Sequence, residues 1–527
     1  MSIQQSRKEI FDKIHQESWD LIIIGGGITG AGILREAVRR NLKVLLVEQQ
    51  DFAWGTSSRS TKMVHGGIRY LKEGDIKLTY QSVRERQNLI HELPGLVKDK
   101  IYILPYYKGG FAKQVATHLG LIIYDLLAFR WRKHKFSRQE TNRLAPDILK
   151  TGLKGGFNVS DAITDDARLV MRVLWEAINE GATAMNYCRA DKLIKENNTV
   201  GGVTLKDMET GNSFDIRSKL VINATGAWAD RLRSQVTKSN KQKIRPLRGS
   251  HLIFSKERIP LPENVFIIHP KDERPLVVMS WEGRVLVGTT DIDHKGDLST
   301  TAGISPQEVD YILEAMNCFF PDIHLTKKDI VSTMAGIRPV IDTGKANPSE
   351  ESRDHVIWQE DGLLSVTGGK LTTFRLIALD ALKAAQTIIG KISNLDKKQS
   401  IFTPLVDSID LSEQITFEKQ QRLQGHYGNH AGKMLRNAKP DELEVIPETH
   451  TLWVELKWTA QEESVVHLDD LLLRRTRIGS LVENGAKELL PKIRSLCQSK
   501  LGWDDEKWEK EEKDYLNLWQ KYYSVPK

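Results

Sequence analysis

A chain of 527 residues with 40% hydrophobic content predicts roughly three domains with substantial cores, and excludes a disordered or low-complexity protein. The net charge of +7, from 76 Lys and Arg against 69 Asp and Glu, suits an anionic substrate, an anionic membrane surface or nucleic acid, and selects none of them. The three cysteines, Cys188, Cys318 and Cys497, form no CxxC pair. They argue for buried thiols in a reducing cytoplasm, without a disulfide framework, a zinc knuckle or any other metal site.

The N-terminal stretch lacks the apolar core of a secretory signal and mixes acids with bases, unlike a transit peptide. Leu21 to Ile24 then read as a buried parallel strand, followed by Gly25, Gly27 and Gly30, a helix, and a second strand, 44–47, that ends at Glu48. Together these parts form a dinucleotide-binding βαβ unit. The glycines tighten the turn, let a pyrophosphate approach backbone, and let helix pack on sheet. The helix N-terminus faces the phosphates, and Glu48 can accept from both ribose hydroxyls. Residues 55–67, rich in Ser, Thr and Gly, predict a loop along the cofactor, and 76–93 a helix. The apolar stretch 119–129 is interrupted by Asp125 and is too short to span a bilayer. Strands alternate with short turns over 181–226 and close on LVINATGAWAD, with Thr225 and Gly226 at a turn where backbone again approaches the dinucleotide.

From 245 to 291 a β-rich pattern predicts a mostly antiparallel sheet able to roof a site, and 306–320 reads as a helix. The chain returns through AGIRPV to LLSVTGGKLTTFR, a strand, a Gly-Gly turn and a helix beginning near Leu371. The fold expected is α/β and α+β. A discontinuous Rossmann-type domain comprises 18–75, 155–244 and 335–390, and an antiparallel-sheet substrate domain 76–154 and 245–334. A linker, 391–412, leads to a C-terminal helical domain, 413–527.

Ten motifs in order resemble the FAD-dependent glycerol-3-phosphate dehydrogenase family, within the D-amino-acid-oxidase-like flavoproteins. They are IGGGITGAGI (24–33), FAWGTSSRSTKMVHGGIRYL (52–71), DDARLV (165–170), NATGAWAD (223–230), RGSHLIF (248–254), VGTTD (287–291), AGIRP (335–339), SRDH (352–355), TGGKLTTFR (367–375) and DDLLLRRTR (469–477). The resemblance implies non-covalent FAD, and hydride transfer from C2 of sn-glycerol 3-phosphate to flavin N5, giving dihydroxyacetone phosphate. It further implies electrons passed to a membrane quinone, a cytoplasmic or peripheral membrane location, no nucleic acid partner, and compatibility with a homodimer. By similarity Arg353 and Arg69 bind around the phosphate, where a guanidinium fork suits a dianion. Arg338 is assigned to the glyceryl hydroxyls, and Tyr70 to substrate or to packing.

Loss of a hydride from an alcohol needs a base for the hydroxyl proton, so His251, or His65 in VHGG, is the candidate. Gly369, Lys370, Leu371 and Thr372 sit at a helix start that stabilises charge on reduced flavin or touches substrate. Ser57, Ser58, Thr61 and Lys62 are expected to contact the dinucleotide. The segment LGLIIYDLLAFRWRKHKFSR (119–138) is either a basic interfacial element or a core helix with a solvated basic loop. Two other readings stand beside this one. A glycerol-3-phosphate oxidase using O2 is disfavoured by the short connection 340–365, and a non-catalytic FAD-containing binding protein by the substrate-motif arginines.

Overall fold

The computed structural model describes residues 7–67, 74–109, 120–124, 127, 134–237, 242–344, 351, 354–393, 395–397, 399–405 and 415–526. Among these, one sheet has eight strands and the other ten.

The first sheet grows from the apolar run Trp19–Ile24, which lies parallel to Val44–Val47 on one side and to Ser213–Asn223 on the other. Leu363–Gly368 extends it in parallel beyond Ser213–Asn223, and Thr183–Met185 beyond Val44–Val47. Such strands, apolar on both faces, need cover above and below. Helices Ile28–Val38, Asp166–Asn179 and Phe374–Ile389 supply one layer, through Ile33, Leu34, Val170, Leu174, Ala378 and Ala381. The three strand ends at Ile24, Val47 and Gly368 therefore open toward one rim, where an α/β sheet binds its ligands.

The second sheet is antiparallel except where Asn264–Ile268 runs parallel to Lys98–Tyr107. Its long strands Ile244–Ser255 and Ile330–Ile341 pair over most of their length. Helix Pro306–Phe319 is started by a Ser305/Glu308 capping box with Pro at its first turn. It packs Val309, Ile312 and Met316 against Leu252, Val285 and Val287.

Sheet membership redraws the expected division. Leu153–Ile163 pairs with Lys98–Tyr107, so 155–163 lie in the second sheet rather than with the dinucleotide unit, and Met63–Val64 joins them. Ile330–Ile341 belongs to the second sheet across the expected boundary at 335. Cys188 and Cys497 are buried, but Cys318 is exposed on its helix, contrary to the expectation of three buried thiols.

The C-terminal unit is helical, with a core of Trp453, Leu456, Leu472, Ile493, Trp508 and Tyr515. A π-helical segment, Asp470–Arg475, directs its arginines out of that core toward the dinucleotide unit. No helix of the described residues is long and apolar enough to cross a membrane.

Candidate active site

A cavity open to solvent lies at the rim where the first sheet's strands end. Gly25, Gly27, Glu48, Ser57, Thr225, Gly226, Gly369, Lys370 and Leu371 all line it. The glycines are there for space. Gly25 has φ +117°, and a Cβ on it would lie 2.5 Å from the Ala224 carbonyl oxygen. A Cβ on Gly30 would collide with the Gly25 carbonyl oxygen, so Gly30 serves the packing of helix on turn rather than the cavity wall. Gly27 begins helix Ile28–Val38 without a side-chain cap. The Ile28 N–H is taken by Ser57 Oγ at 3.0 Å, which ties the 55–62 loop to the helix start.

Glu48 accepts from the Gly26 N–H at 2.7 Å and from the Gln50 N–H at 3.0 Å, one donor on each carboxylate oxygen. Each oxygen keeps a second lone pair for a ribose hydroxyl. Burial raises its pKa, against the backbone N–H groups of Gln50, Gly26 and Gln49. A turn whose Cβ positions are closed, a helix start whose N-cap glycine carries no side chain, and a carboxylate at the end of the second strand fit a dinucleotide's pyrophosphate and ribose.

The roof carries the polar groups of the second sheet. Arg338 donates to Asp291 Oδ1 at 3.1 Å and to Thr289 Oγ1 at 3.2 Å, yet keeps a quarter of its side chain exposed. Its neighbour Pro339 lines the cavity. A Cβ on Gly249 would stand 2.8 Å from the Arg338 guanidinium, so glycine there leaves room for it. His251 is fully buried, with Nε2 at 3.0 Å from Thr61 Oγ1 and Nδ1 without a hydrogen-bond partner. Burial, then the charges of Arg338 and Lys62, hold its pKa well below the usual imidazole value, so the ring is neutral near pH 7.

The VHGG loop is pinned from behind. Asp161 accepts from the Gly66 N–H at 2.9 Å, Arg86 at 2.6 Å and the Tyr124 hydroxyl at 2.8 Å. The His65 carbonyl accepts from Thr372 Oγ1 at 3.0 Å, joining this loop to the Gly-Gly turn. Lys370 reaches Ser82 Oγ at 3.4 Å on helix Ile76–Glu92, and Arg375 is paired with Glu85 on the same helix. His355 stands between Asp354 and Asp380, at 3.4 and 3.3 Å, and these hydrogen bonds raise its pKa to about 9.

Of the expected site residues, Gly30, Ser58, Thr61, Lys62, Thr372, His65, His251 and Arg338 do not line the cavity. Lys62 is fully buried, and its ammonium donates to Ser58 O at 2.6 Å and Asp166 Oδ1 at 2.7 Å. Ser58 is buried and offers its carbonyl inward to that ammonium. Thr61 and Thr372 act through His251 and His65, as described. Arg69, Tyr70 and Arg353 fall outside the described residues, as do 119, 125–126 and 128–133 of the basic segment 119–138. The sequence reading passed over Trp54, Arg189, Trp228 and Arg231, which line the cavity. Trp228 and Arg231 adjoin the NATG turn, and that adjacency was the available signal.

Fold and cradle together define a flavin-type dinucleotide oxidoreductase. Residues 20–375 match the family described as FAD dependent oxidoreductase, and residues 384–508 match the C-terminal domain of alpha-glycerophosphate oxidase. The chain is 35% identical over 502 residues to the aerobic glycerol-3-phosphate dehydrogenase of Staphylococcus haemolyticus, covering 90% of each chain. It superposes on the FAD-complexed glycerol-3-phosphate dehydrogenase of Bacillus halodurans with a TM-score of 0.78, at 27% identity over 98% of both chains. The FAD-bound L-alpha-glycerophosphate oxidase of Mycoplasma pneumoniae shares the fold, with a TM-score of 0.56 and 19% identity over 74% of this chain and 99% of that one. The chain belongs to the FAD-dependent glycerol-3-phosphate dehydrogenase family, and is an FAD-dependent oxidoreductase.

Proposed function

We propose that this enzyme oxidises sn-glycerol 3-phosphate to dihydroxyacetone phosphate. The observation that carries the reading is Arg338: a guanidinium held by Asp291 and Thr289, still partly exposed, next to the cavity-lining Pro339 and electrostatically coupled to His251. The full-length likeness to aerobic glycerol-3-phosphate dehydrogenases names the substrate. Held by the glycine turn, Glu48 and the Gly-Gly turn, FAD would supply a two-electron acceptor for the C2 hydride, with a quinone as the onward acceptor.

The protein's own residues do the rest. The glycine turn and Glu48 would hold the dinucleotide, with Ser57, Thr225, Gly226 and Gly369 to Leu371 lining the same cavity and Thr372 tying that last turn to the VHGG loop. Arg338 orients the glyceryl hydroxyls, and Arg69 and Arg353 take the phosphate, with Tyr70 beside them. Neutral His251 accepts the C2 hydroxyl proton at Nδ1, the nitrogen without a partner, while Thr61 fixes Nε2. His65, whose carbonyl is tied to Thr372, is the second candidate for that base. Peripheral attachment to the inner face of the cell membrane, through the basic stretch after residue 119, would bring the enzyme to a quinone pool.

The test is anaerobic mixing with sn-glycerol 3-phosphate, following the flavin band near roughly 450 nm as two electrons enter. Rapid bleaching is expected, with colour restored faster by a short-chain quinone than by air. No bleaching would overturn the substrate, and faster restoration by air would replace the dehydrogenase with an oxidase.

A further inference from the structure

The DDLLLRRTR motif lies about three hundred residues or more from the loops it touches, and the reaction itself gives it no task. Arg477 is buried in the C-terminal unit with left-handed backbone, φ 62°. Its guanidinium reaches across the domain boundary, donating to the Ser58 carbonyl at 3.0 Å, to Asp165 at 2.9 Å and to Asp166. Asp166 in turn accepts from the Ser60 N–H at 2.9 Å, the Ser60 hydroxyl at 2.7 Å and the Lys62 ammonium at 2.7 Å. Ser60 lines the cavity, and Thr61, held between Ser60 and Lys62, is the partner of His251.

We propose that Arg477 is a positioning residue for the cofactor: the C-terminal unit sets the shape of the cavity-lining loop through Asp166, and with it the affinity and environment of bound FAD. The loop's own sequence, GTSSRSTK, has three adjacent polar residues or more with no regular ladder to hold them. Loops so built adopt the shape their fixed partners impose. Here the partners are charged and buried, which is a costly arrangement unless every lone pair and proton is satisfied. The Asp165 and Asp166 carboxylates overcome the burial of Arg477 and hold it protonated, its pKa above the ordinary value. Planar, five-donor geometry allows one guanidinium to bind two carboxylates and a carbonyl at once, which an ammonium cannot reproduce.

The inference rests on FAD occupying the cavity and is independent of which substrate it oxidises. The experiment compares Arg477→Lys, Ser60→Ala and the double variant as purified holoenzymes. FAD dissociation constants are read by recovery of flavin fluorescence, alongside the visible circular dichroism of the bound flavin. Each single variant should weaken FAD by about fivefold or more and alter the visible dichroism. The double variant should be no weaker than the worse single, because both changes act on Asp166. Glu448→Gln, which cuts the Arg284–Glu448 pair docking the C-terminal unit on the second sheet, should leave FAD affinity within about twofold.

Affinities within about twofold for both singles, or strictly additive losses, would overturn the proposal. So would an equal loss in Glu448→Gln, since general loosening would then be the cause. If Arg477→Lys fails to fold, Ser60→Ala alone decides by the same threshold. A parent protein that binds FAD but is not bleached by glycerol 3-phosphate would leave this inference standing and remove only the substrate.

Discussion

The glycine turn and the arginine clamp hold the two sides of one cavity by opposite means. At the turn, side chains are absent: Gly25, Gly26 and Gly30 keep Cβ atoms out of a space that backbone and Glu48 already crowd. At the clamp, charge is concentrated. Asp51 receives Arg475 through two bonds of 2.7 and 2.8 Å, and Arg474 as well, all three side chains being buried. Those cations overcome burial and hold the Asp51 pKa below the ordinary carboxylate value. Asp51 lies three residues past Glu48, so the clamp also steadies the ribose-facing end of the site. The turn works by exclusion and tolerates no added atom; the clamp works by attraction and tolerates no lost one.

The sharpest way to break the first side is Gly30→Val. Its side chain has no room beside the Gly25 carbonyl, and FAD affinity should fall by roughly a hundredfold or more, seen as colourless purified protein. On the second side, Arg474→Met removes one of two cations from Asp51 and the partner of Asp469. Stability should drop by about 3 kcal/mol or more, measured by urea unfolding of the holoenzyme. Arg338→Ala tests the roof: FAD should be retained and kcat should fall about a hundredfold, whereas an unchanged kcat would remove Arg338 from the chemistry.

Thr61→Val leaves His251 Nε2 unpaired. It should lower kcat about fivefold with KM little changed, since a lost hydrogen bond to a buried ring is worth ~1 kcal/mol. The smallest effect concerns His355. Its pKa rises from 6.5 to about 9 on folding, so its contribution to stability is complete below about pH 6.5 and disappears as pH rises through about 9. The difference in thermal midpoint between parent and His355→Gln should therefore be present at pH 6 and vanish near pH 10. A constant difference would mean that His355 acts through packing alone.

Much of the turn was legible because its logic is local. Gly25, Gly27, Gly30 and Glu48 lie within one βαβ unit, and their spacing is the spacing of the contacts. The clamp was not legible, because Arg474 and Asp51 are 423 residues apart and Arg477 and Asp166 are 311 apart. Nothing in a run of arginines announces a buried partner. The expected domain boundary at 155 cuts the strand Leu153–Ile163 for a related reason: its partner Lys98–Tyr107 lies roughly fifty residues away, and sequence pattern does not reveal a strand's neighbour. Lys62, in a loop of serines and threonines, was expected to contact the dinucleotide, and only the fold shows its ammonium turned inward to Asp166.

The indoles of Trp54 and Trp228, both in the cavity wall with ring centroids 5.7 Å apart, give the protein a built-in optical gauge. Their emission overlaps the near-ultraviolet absorption of a bound isoalloxazine, so excitation should pass to it and ultraviolet fluorescence should dim in proportion to loading. Replacing both by phenylalanine would darken that gauge while ten other tryptophans continue to report on the remainder of the chain.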